Sequence, residues 1–494
     1  MMDQHSKISD YLKEIDRVII EGKYDDDWDS LSNYQLAKWY RNAKFGIFIH
    51  WGVYSVPAFG NEWYSRNMYI QGSKEYEHHI KTYGNHKEFG YKDFIPMFQA
   101  EQFSAEEWAE LFKEAGARYV MPVAEHHDGF QMYKSDFSHF NAYEMGPKRD
   151  ILGELGDALA KRDIPLCAST HRIEHWFFMG RGKEFDSDIK EPLERGDFYW
   201  PAMPEPNHQD LFSPSPTQEF LEDWLIRTCE IVDRYRPKIM YFDWWIQHHA
   251  VKPYLKKFSA YYYNRAEEWG MDVAINYKHD AFMFGTAVVD IERGQFADQK
   301  PYFWQTDTSV AKNSWCYTEN NDYKKAKEII CDLVDIVSKN GSLLLNIGPK
   351  ADGTIPAADK AILLEIGEWL KVNGEAIYDS KVWRKSGEGP IKIQEGQFTD
   401  KESKEFTSED IRFTVKGSYL YATVLNYPED GKVNIHSLAE KDASKLPHFH
   451  GIIKDVSILG FNEKPSWKRT EKGLEITTNQ VSSDKPVVFK LLID

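Results

Sequence analysis

The stretch RYVMPVAEHHDGF, Arg118 to Phe130, begins as an apolar run and closes on four consecutive titratable residues, Glu125, His126, His127 and Asp128. Burying four such groups with no role is expensive, so this strand end reads as the floor of a site. The same apolar-first, polar-last order recurs in seven other short runs. FGIFIHWG from Phe45 closes on His50, IPLCASTH from Ile164 on His171, and KIMYFDWW from Lys238 on Asp243. DVAINYK from Asp272 carries Asn276, and VVDIERG from Val288 carries Glu292. YFWQTDT from Tyr302 carries Asp307, and SLLLNIGP from Ser342 carries Asn346.

Helical patterns fit between most of these runs. SAEEWAELFKEAG offers Ser104 as N-cap, Glu107 to close a capping box and Gly116 at its C-terminal end. FLEDWLIRTCEIVDRY carries an apolar stripe and stops before Pro237. DYKKAKEIICDLVDIVSKNG and DKAILLEIGEWLKVNG both end in Asn-Gly, predicting caps at Gly341 and Gly374. Strand and helix in repeated alternation predict an α/β fold, a (β/α)8-like TIM barrel over residues 1–380 with a short N-terminal helical extension. In such barrels the C-terminal strand ends converge on one mouth, which explains polar groups loaded at one end of every strand. Two long irregular stretches, 54–84 and 173–210, leave that face and are expected to shape specificity. Over residues 388–494 the pattern turns to short alternating strands with polar turns, predicting a separate C-terminal β-sandwich domain.

Composition narrows the partners. A formal net charge of −17 with no local Lys/Arg block speaks against nucleic acid and anionic membranes. The chain holds 16 Trp, 28 Tyr and 29 Phe, and exposed aromatic faces suit the C–H faces of sugar rings. Cys167, Cys229, Cys316 and Cys331 are scattered with no C-x-x-C, so neither a zinc site nor a disulfide framework is expected. The first thirty residues hold no long apolar run, and a cytoplasmic location is the expectation. The sequence is compatible with a homo-oligomer.

Successive strand residues point to opposite faces, so His126 and His127 should not chelate one ion from regular β-geometry. No H-E-x-x-H, P-loop, dinucleotide fingerprint or G-x-S-x-G elbow is present. No metal and no cofactor are therefore expected. Carboxylates, histidines and aromatics at one barrel mouth fit glycoside hydrolysis, which needs two carboxyl groups facing one anomeric carbon. Asp243, before Trp244 and Trp245, is a candidate that could equally be an N-cap or an ion-pair partner. Glu292 is a second, with Arg293 beside it as a salt-bridge alternative and Asp290 as a competitor.

At these residues the chain resembles the α-L-fucosidases of glycoside hydrolase family 29. WYRNAKFGIFIHWGVYSVPAFGNEWYSRNMY (from Trp39), YVMPVAEHHDGFQMYKS (from Tyr119), FWQTDTSVAKNSWCY (from Phe303) and NGSLLLNIGPKADGTIP (from Asn340) carry the resemblance. It implies a retaining exo-α-L-fucosidase that needs no metal and acts on fucosylated oligosaccharides or glycoconjugates. It also implies Asp243 as nucleophile, Glu292 as acid/base, and carboxyls about 5–5.5 Å apart. His50, Glu62, Trp63, His126 and His127 match sugar-binding positions. His171 is added to them and Trp315 is expected to face the fucose methyl. Asp128 is expected to orient a histidine or the following turn, and Phe130 to be core. The chain departs from the family pattern at ASTHRIEHW and at Cys316, which stands where the family has Gly. Glu125 stands where it has Lys, which would add negative charge near the pocket. Asp290, Asp298 and Glu174 are rival acid/base residues. Competing readings are another retaining exo-glycosidase, a catalytically dead carbohydrate-binding protein and a metal-dependent hydrolase.

Overall fold

The eight apolar runs form eight parallel strands in the computed structural model, which describes residues 4–207, 209–400, 405–440 and 449–494. They are β1 (Phe45–Ile49), β2 (Val120–Glu125), β3 (Ala168–Thr170), β4 (Ile239–Phe242), β5 (Ala274–Tyr277), β6 (Val288–Glu292), β7 (Trp304–Ser309) and β8 (Gly341–Ile347). They close into a barrel in chain order, with β8 pairing back onto β1 from Phe45↔Leu343 to Ile49↔Ile347. The barrel interior is a packed plug, as the fold requires. Tyr40 and Tyr119 both donate to Gln305 Oε1, at 2.6 and 2.9 Å, and Asn276 Nδ2 donates to the Tyr40 hydroxyl at 2.9 Å. Gly46 is required here: a Cβ would lie 2.4 Å from the Tyr119 ring. Asn276 thus belongs to the interior plug and not to the mouth, because it sits one residue before the end of β5.

The helix Ala105–Glu114 starts at Ser104, whose hydroxyl accepts from Glu107 N at 3.3 Å, and Gly116 follows with φ +83°. The helix Gln218–Tyr235 stops on Arg236, in the left-handed region, just before Pro237. The two Asn-Gly caps differ from expectation. After the helix Ala326–Ser338 it is Asn340 that turns left-handed (φ 76°), while Gly341 already opens β8. After the helix Ala357–Asn373, Gly374 keeps a right-handed φ of −61° and leads into a further turn of 3-10 helix. No helix separates β5 from β6 or β6 from β7, so the strand–helix alternation lapses twice.

The C-terminal unit is a pair of antiparallel sheets. Its strands are β9 (Lys381–Glu388), β10 (Ile411–Lys416), β11 (Tyr419–Val424), β12 (Lys432–Ile435), β13 (Ile453–Ile458), β14 (Ser466–Thr470), β15 (Gly473–Thr477) and β16 (Val487–Ile493). One sheet runs β13-β16-β11-β10-β9 and the other β12-β15-β14. Phe413, Val456 and Phe489 from the first share a core with Ile435, Leu474 and Ile476 from the second. Because β9 is an edge of the larger sheet, the unit starts at Lys381, ahead of residue 388. The four thiols are free and buried, and no described helix is long and apolar enough to cross a membrane.

The two units are bolted together at Asp335, on the helix Ala326–Ser338. Its carboxylate is fully buried and takes Lys339 Nζ from its own helix and Arg412 Nε from β10. Burial opposes the charge, but the two cations outweigh it and hold this carboxyl below its ordinary range. Removing one partner of a buried pair strands the others and costs about 3–5 kcal/mol. Asp335→Ala is therefore expected to lower the urea midpoint of unfolding, followed by tryptophan fluorescence. An unchanged midpoint would show that the bolt carries no stability.

Candidate active site

The C-terminal strand ends surround a cavity of about 360 Å³, within the size range of small-molecule sites. All nine residues singled out from the sequence line it: His50, Glu62, Trp63, His126, His127, His171, Asp243, Glu292 and Trp315. Each follows from local chain geometry. His50, His171 and Asp243 are the first residues past β1, β3 and β4, and Glu292 is the last of β6. Glu62 and Trp63 come from the first long insertion, and Glu62 Oε2 accepts from Trp315 N at 3.0 Å, which ties that insertion to the loop after β7. The second insertion gives the wall Glu174 near its start. Much of the rest braces the first insertion, for instance through Asp188, which accepts from Tyr69 at 2.8 Å.

Asp243 is held from one side by histidines. His171 Nδ1 lies 3.1 Å and His127 Nε2 3.5 Å from its Oδ2. Burial pushes this carboxyl up, but His171, His127 and Lys278 outweigh burial and hold it well below the usual carboxylate range. Burial likewise disfavours charge on His127, yet Glu174 and Asp243 outweigh it and raise its pKa to about 9. His127 is therefore the imidazolium of the cluster. Burial drives His50 and His126 far down and lowers His171, so these three are neutral. His50 Nδ1 bonds Asn346 Oδ1 at 2.7 Å, leaving Nε2 for the cavity, and its ring stacks on Trp315 at 5.2 Å. No partner reaches His126 Nδ1 among the described residues.

Lys278, the residue after β5, is the one the strand pattern undervalues. DVAINYK ends on it, but a lysine closing a strand reads as a solvated end. Its ammonium is buried, 2.7 Å from Glu292 Oε2, 3.3 Å from Asp307 Oδ2, 3.7 Å from Asp243 Oδ1 and 3.8 Å from Asp290 Oδ1. Burial opposes its charge, and those carboxyl groups overcome burial and raise its pKa. Sharing one ammonium keeps Asp243 Oδ1 and Glu292 Oε2 closer than the roughly 6.5–9.5 Å used by inverting pairs. Burial pushes Glu292 up to about 7 against the pull of Lys278, with Asp243 and Asp307 adding to the rise. Trp244 Nε1 donates to Glu292 Oε2.

Two of the three rivals lie off the cavity. Asp290 lies below the floor, accepting from Gln305 Nε2 at 2.8 Å, and Asp298 is exposed outside the cavity. Glu174 does line it, fully buried, and burial raises it to about 7. One expectation fails. Glu125 is not near the pocket: as the last residue of β2 it faces the helix layer, 3.2 Å from Arg172 NH1 and 3.1 Å from Arg227 NH1. Asp128 takes the second of its two expected roles and orients the following turn: its oxygens accept from Phe130 N at 3.0 Å and the Tyr91 hydroxyl at 2.7 Å, and Phe130 is core, as expected.

His126 and His127 also escape the strand argument, since β2 ends before them and both reach the cavity. Among the described residues two trios have ligand-type atoms close enough to share an ion: His50, His126 and His171, and His127, His171 and Asp243. His171 belongs to both, and its two ring nitrogens are engaged by Asp243 and, at 3.0 Å, by Ser169 Oγ. A cationic His127 offers no lone pair. His127 and His171 are thus committed to holding Asp243, and without them neither trio keeps three free donors.

Comparison with known proteins agrees with the geometry. The family model described as alpha-L-fucosidase matches residues 12–375, and that of the alpha-L-fucosidase C-terminal domain matches 403–491. This chain belongs to the α-L-fucosidase family. The rat tissue alpha-L-fucosidase is 33% identical over 93% of this chain and 89% of its own length. The human tissue enzyme is 33% identical over 93% and 88%. The Thermotoga maritima alpha-fucosidase, solved in complex with fucose, is 30% identical, covers 95% of this chain and all of its own, and superposes with a TM-score of 0.73. In this fucosidase Lys278 opposes the burial that raises Glu292. Lys278→Met should therefore move the alkaline limb of the kcat/KM–pH profile to higher pH. A limb that stays put or moves down would show that Lys278 does not set the protonation of Glu292.

Proposed function

We propose that this fucosidase removes terminal α-L-fucose from glycans by double displacement, with Asp243 as nucleophile and Glu292 as acid/base. The observation that carries the assignment is the sharing of Lys278 by two carboxyls of which only Asp243 also faces His127 and His171. Asp243 is kept ionised and Glu292 is kept protonated close to neutrality. That division is what a retaining glycosidase needs.

Asp243 Oδ2 is occupied by the two histidines, so Oδ1 is the oxygen free to attack C1. The new bond is Oδ1–C1, the C1–O bond to the leaving group breaks, and Glu292 passes its proton to the departing oxygen. Glu292, now a carboxylate, takes a proton from water as that water attacks C1 from the opposite face. The Asp243 ester is released and α-L-fucose leaves, with Glu292 protonated again. His127 carries the positive charge that keeps Asp243 a good leaving group in this second step. His50 Nε2 and His126 are the neutral groups available to sugar hydroxyls, and Trp315 offers a flat apolar wall to the C5 methyl. A homo-oligomer is compatible with this site, since every residue named comes from one chain.

Asp243→Gly should fold normally and lose several orders of magnitude in turnover, at about 1.4 kcal/mol of barrier per tenfold. Azide should restore part of it and give the β-fucosyl azide, entering from the vacated face. Glu292→Ala should cripple cleavage of a disaccharide yet spare the first step on an aryl fucoside with an acidic phenol. It should show a burst of phenol and, with azide, the α-fucosyl azide. Azides of one and the same anomeric form from both variants would overturn the pair of roles.

The pH profile has a definite sign. Asp243 is depressed, so its ionisation is complete far below neutrality. Glu292 is raised, so activity should fall as pH rises through about 7. In Glu292→Ala assayed with the acidic phenol, that alkaline limb should vanish. A limb that persists would belong to Glu174, which titrates in the same range.

A further inference from the structure

One wall of the cavity does not come from the barrel. Phe398, on the chain between β9 and β10, lines the same pocket as Glu292. Phe398 is 42% exposed. It lies 5.9 Å from the Trp244 ring with the planes only 19° apart. Trp244 in turn donates to the Glu292 carboxyl, so the two rings stand on the side of the cavity where the acid meets the leaving oxygen.

The backbone is set up to hold Phe398 there. Phe398 N donates to Glu292 O at 2.9 Å, and Thr399 N and Asp400 N both donate to Arg293 O, at 2.8 and 3.1 Å. Gly396 N donates to Gln295 O at 3.1 Å, and a Cβ on Gly294 would fall 1.8 Å from Gly396 O, so the two segments touch backbone to backbone. Asp400 then anchors the far end, accepting from Lys324 Nζ and Thr308 Oγ1 with Arg293 NH1 at 3.6 Å. Within this clamp Phe398 itself takes φ +55°. A bulky residue is strained there and persists only where the surroundings impose it. An exposed ring, held at a strained backbone position against the catalytic acid, does nothing for the core.

We infer that Phe398 and Trp244 form a stacking platform for the leaving-group sugar, a pyranose that presents a C–H face to the rings. This makes the β9–β10 connection of the C-terminal unit a determinant of which glycan is cleaved. The orientation of the platform rests on Glu292 being the acid, as proposed above; the stacking itself does not.

The test divides substrates by whether the leaving group has a ring. Wild type and Phe398→Ala are compared on the fucosyl disaccharide that the wild type cleaves best, among 1,2, 1,3, 1,4 and 1,6 linkages, and on α-L-fucosyl fluoride. The expected result is a loss of roughly tenfold in kcat/KM on the disaccharide, carried by KM. Any change on the fluoride should be several-fold smaller. Phe398→Trp should keep the disaccharide KM, while Phe398→Leu should lose it, which separates an aromatic face from mere bulk. Equal losses on both substrates, or no loss on the disaccharide, would overturn the platform. Calorimetry on Asp243→Asn supplies a readout that needs no turnover. The uncleaved disaccharide should bind more tightly than free fucose, and Phe398→Ala should erase the difference. If that difference is present while Glu292→Ala shows no dependence on the leaving group, the acid assignment fails and the platform stands. If the disaccharide binds no better than fucose, the platform fails whatever Glu292 does.

Discussion

The site depends on one buried ammonium. Lys278 sits among Asp243, Asp290, Glu292 and Asp307, side chains delivered by three different strand ends. Four carboxylates around one cation in a dry barrel mouth would leave a large uncompensated charge, and burial makes that costly. Protons must therefore stay on some of them. Asp290, deepest and beside Asp307, is driven far up, and Glu292 rises to about 7. Asp243 escapes because it alone among the four also faces His127 and His171. The difference between the proposed nucleophile and the proposed acid is thus a difference in second partners, with the same lysine common to both.

The histidines obey the same economy of charge. Four imidazoles, His50, His126, His127 and His171, are linked by ring contacts of 4.3 to 5.5 Å. Like charges at such spacing repel strongly in a low-dielectric setting, so one proton at most is tolerable. It goes to His127, which lies between two carboxyls, Glu174 at 3.7 Å and Asp243 at 3.5 Å. The other three rings become neutral donors and acceptors, the form in which an imidazole bonds a sugar hydroxyl without strong bias.

Barrel and site were legible in the sequence to the extent that chemistry followed strand period. Apolar runs ending in polar residues mark the mouth because parallel strands must be apolar on both faces until they leave the core. That rule finds His50, His171, Asp243 and Glu292 directly. It fails for Asn276, one residue too early and so turned into the plug with Tyr40. It fails for Glu125, whose side chain takes the outer face and meets Arg172 and Arg227. Lys278 is invisible to it because a strand-end lysine is ordinarily solvated; only the carboxyls of β6 and β7 and the end of β4 give it a role. Phe398 has no local signal at all, since its place against Trp244 arises from the packing of a segment far along the chain.

The backbone bears the imprint of this arrangement. Trp245, His279 and Arg293 all have positive φ, at 71°, 53° and 44°. Each comes within two residues of a group that acts in the cavity: Asp243, Lys278 or Glu292. These are the ends of three consecutive strands, β4, β5 and β6. A strand that projects its last side chain toward the barrel axis must turn its backbone sharply away to reach the outside, and the left-handed region makes that turn in one residue. Non-glycine residues pay of order 1 kcal/mol to be there, and a glycine would remove the strain. It would also widen the range of conformations open to the neighbouring residue. A bulky residue in a strained turn admits fewer alternatives than a relaxed glycine, so the rigidity that keeps Lys278 between its carboxyls is built into the residues immediately after them.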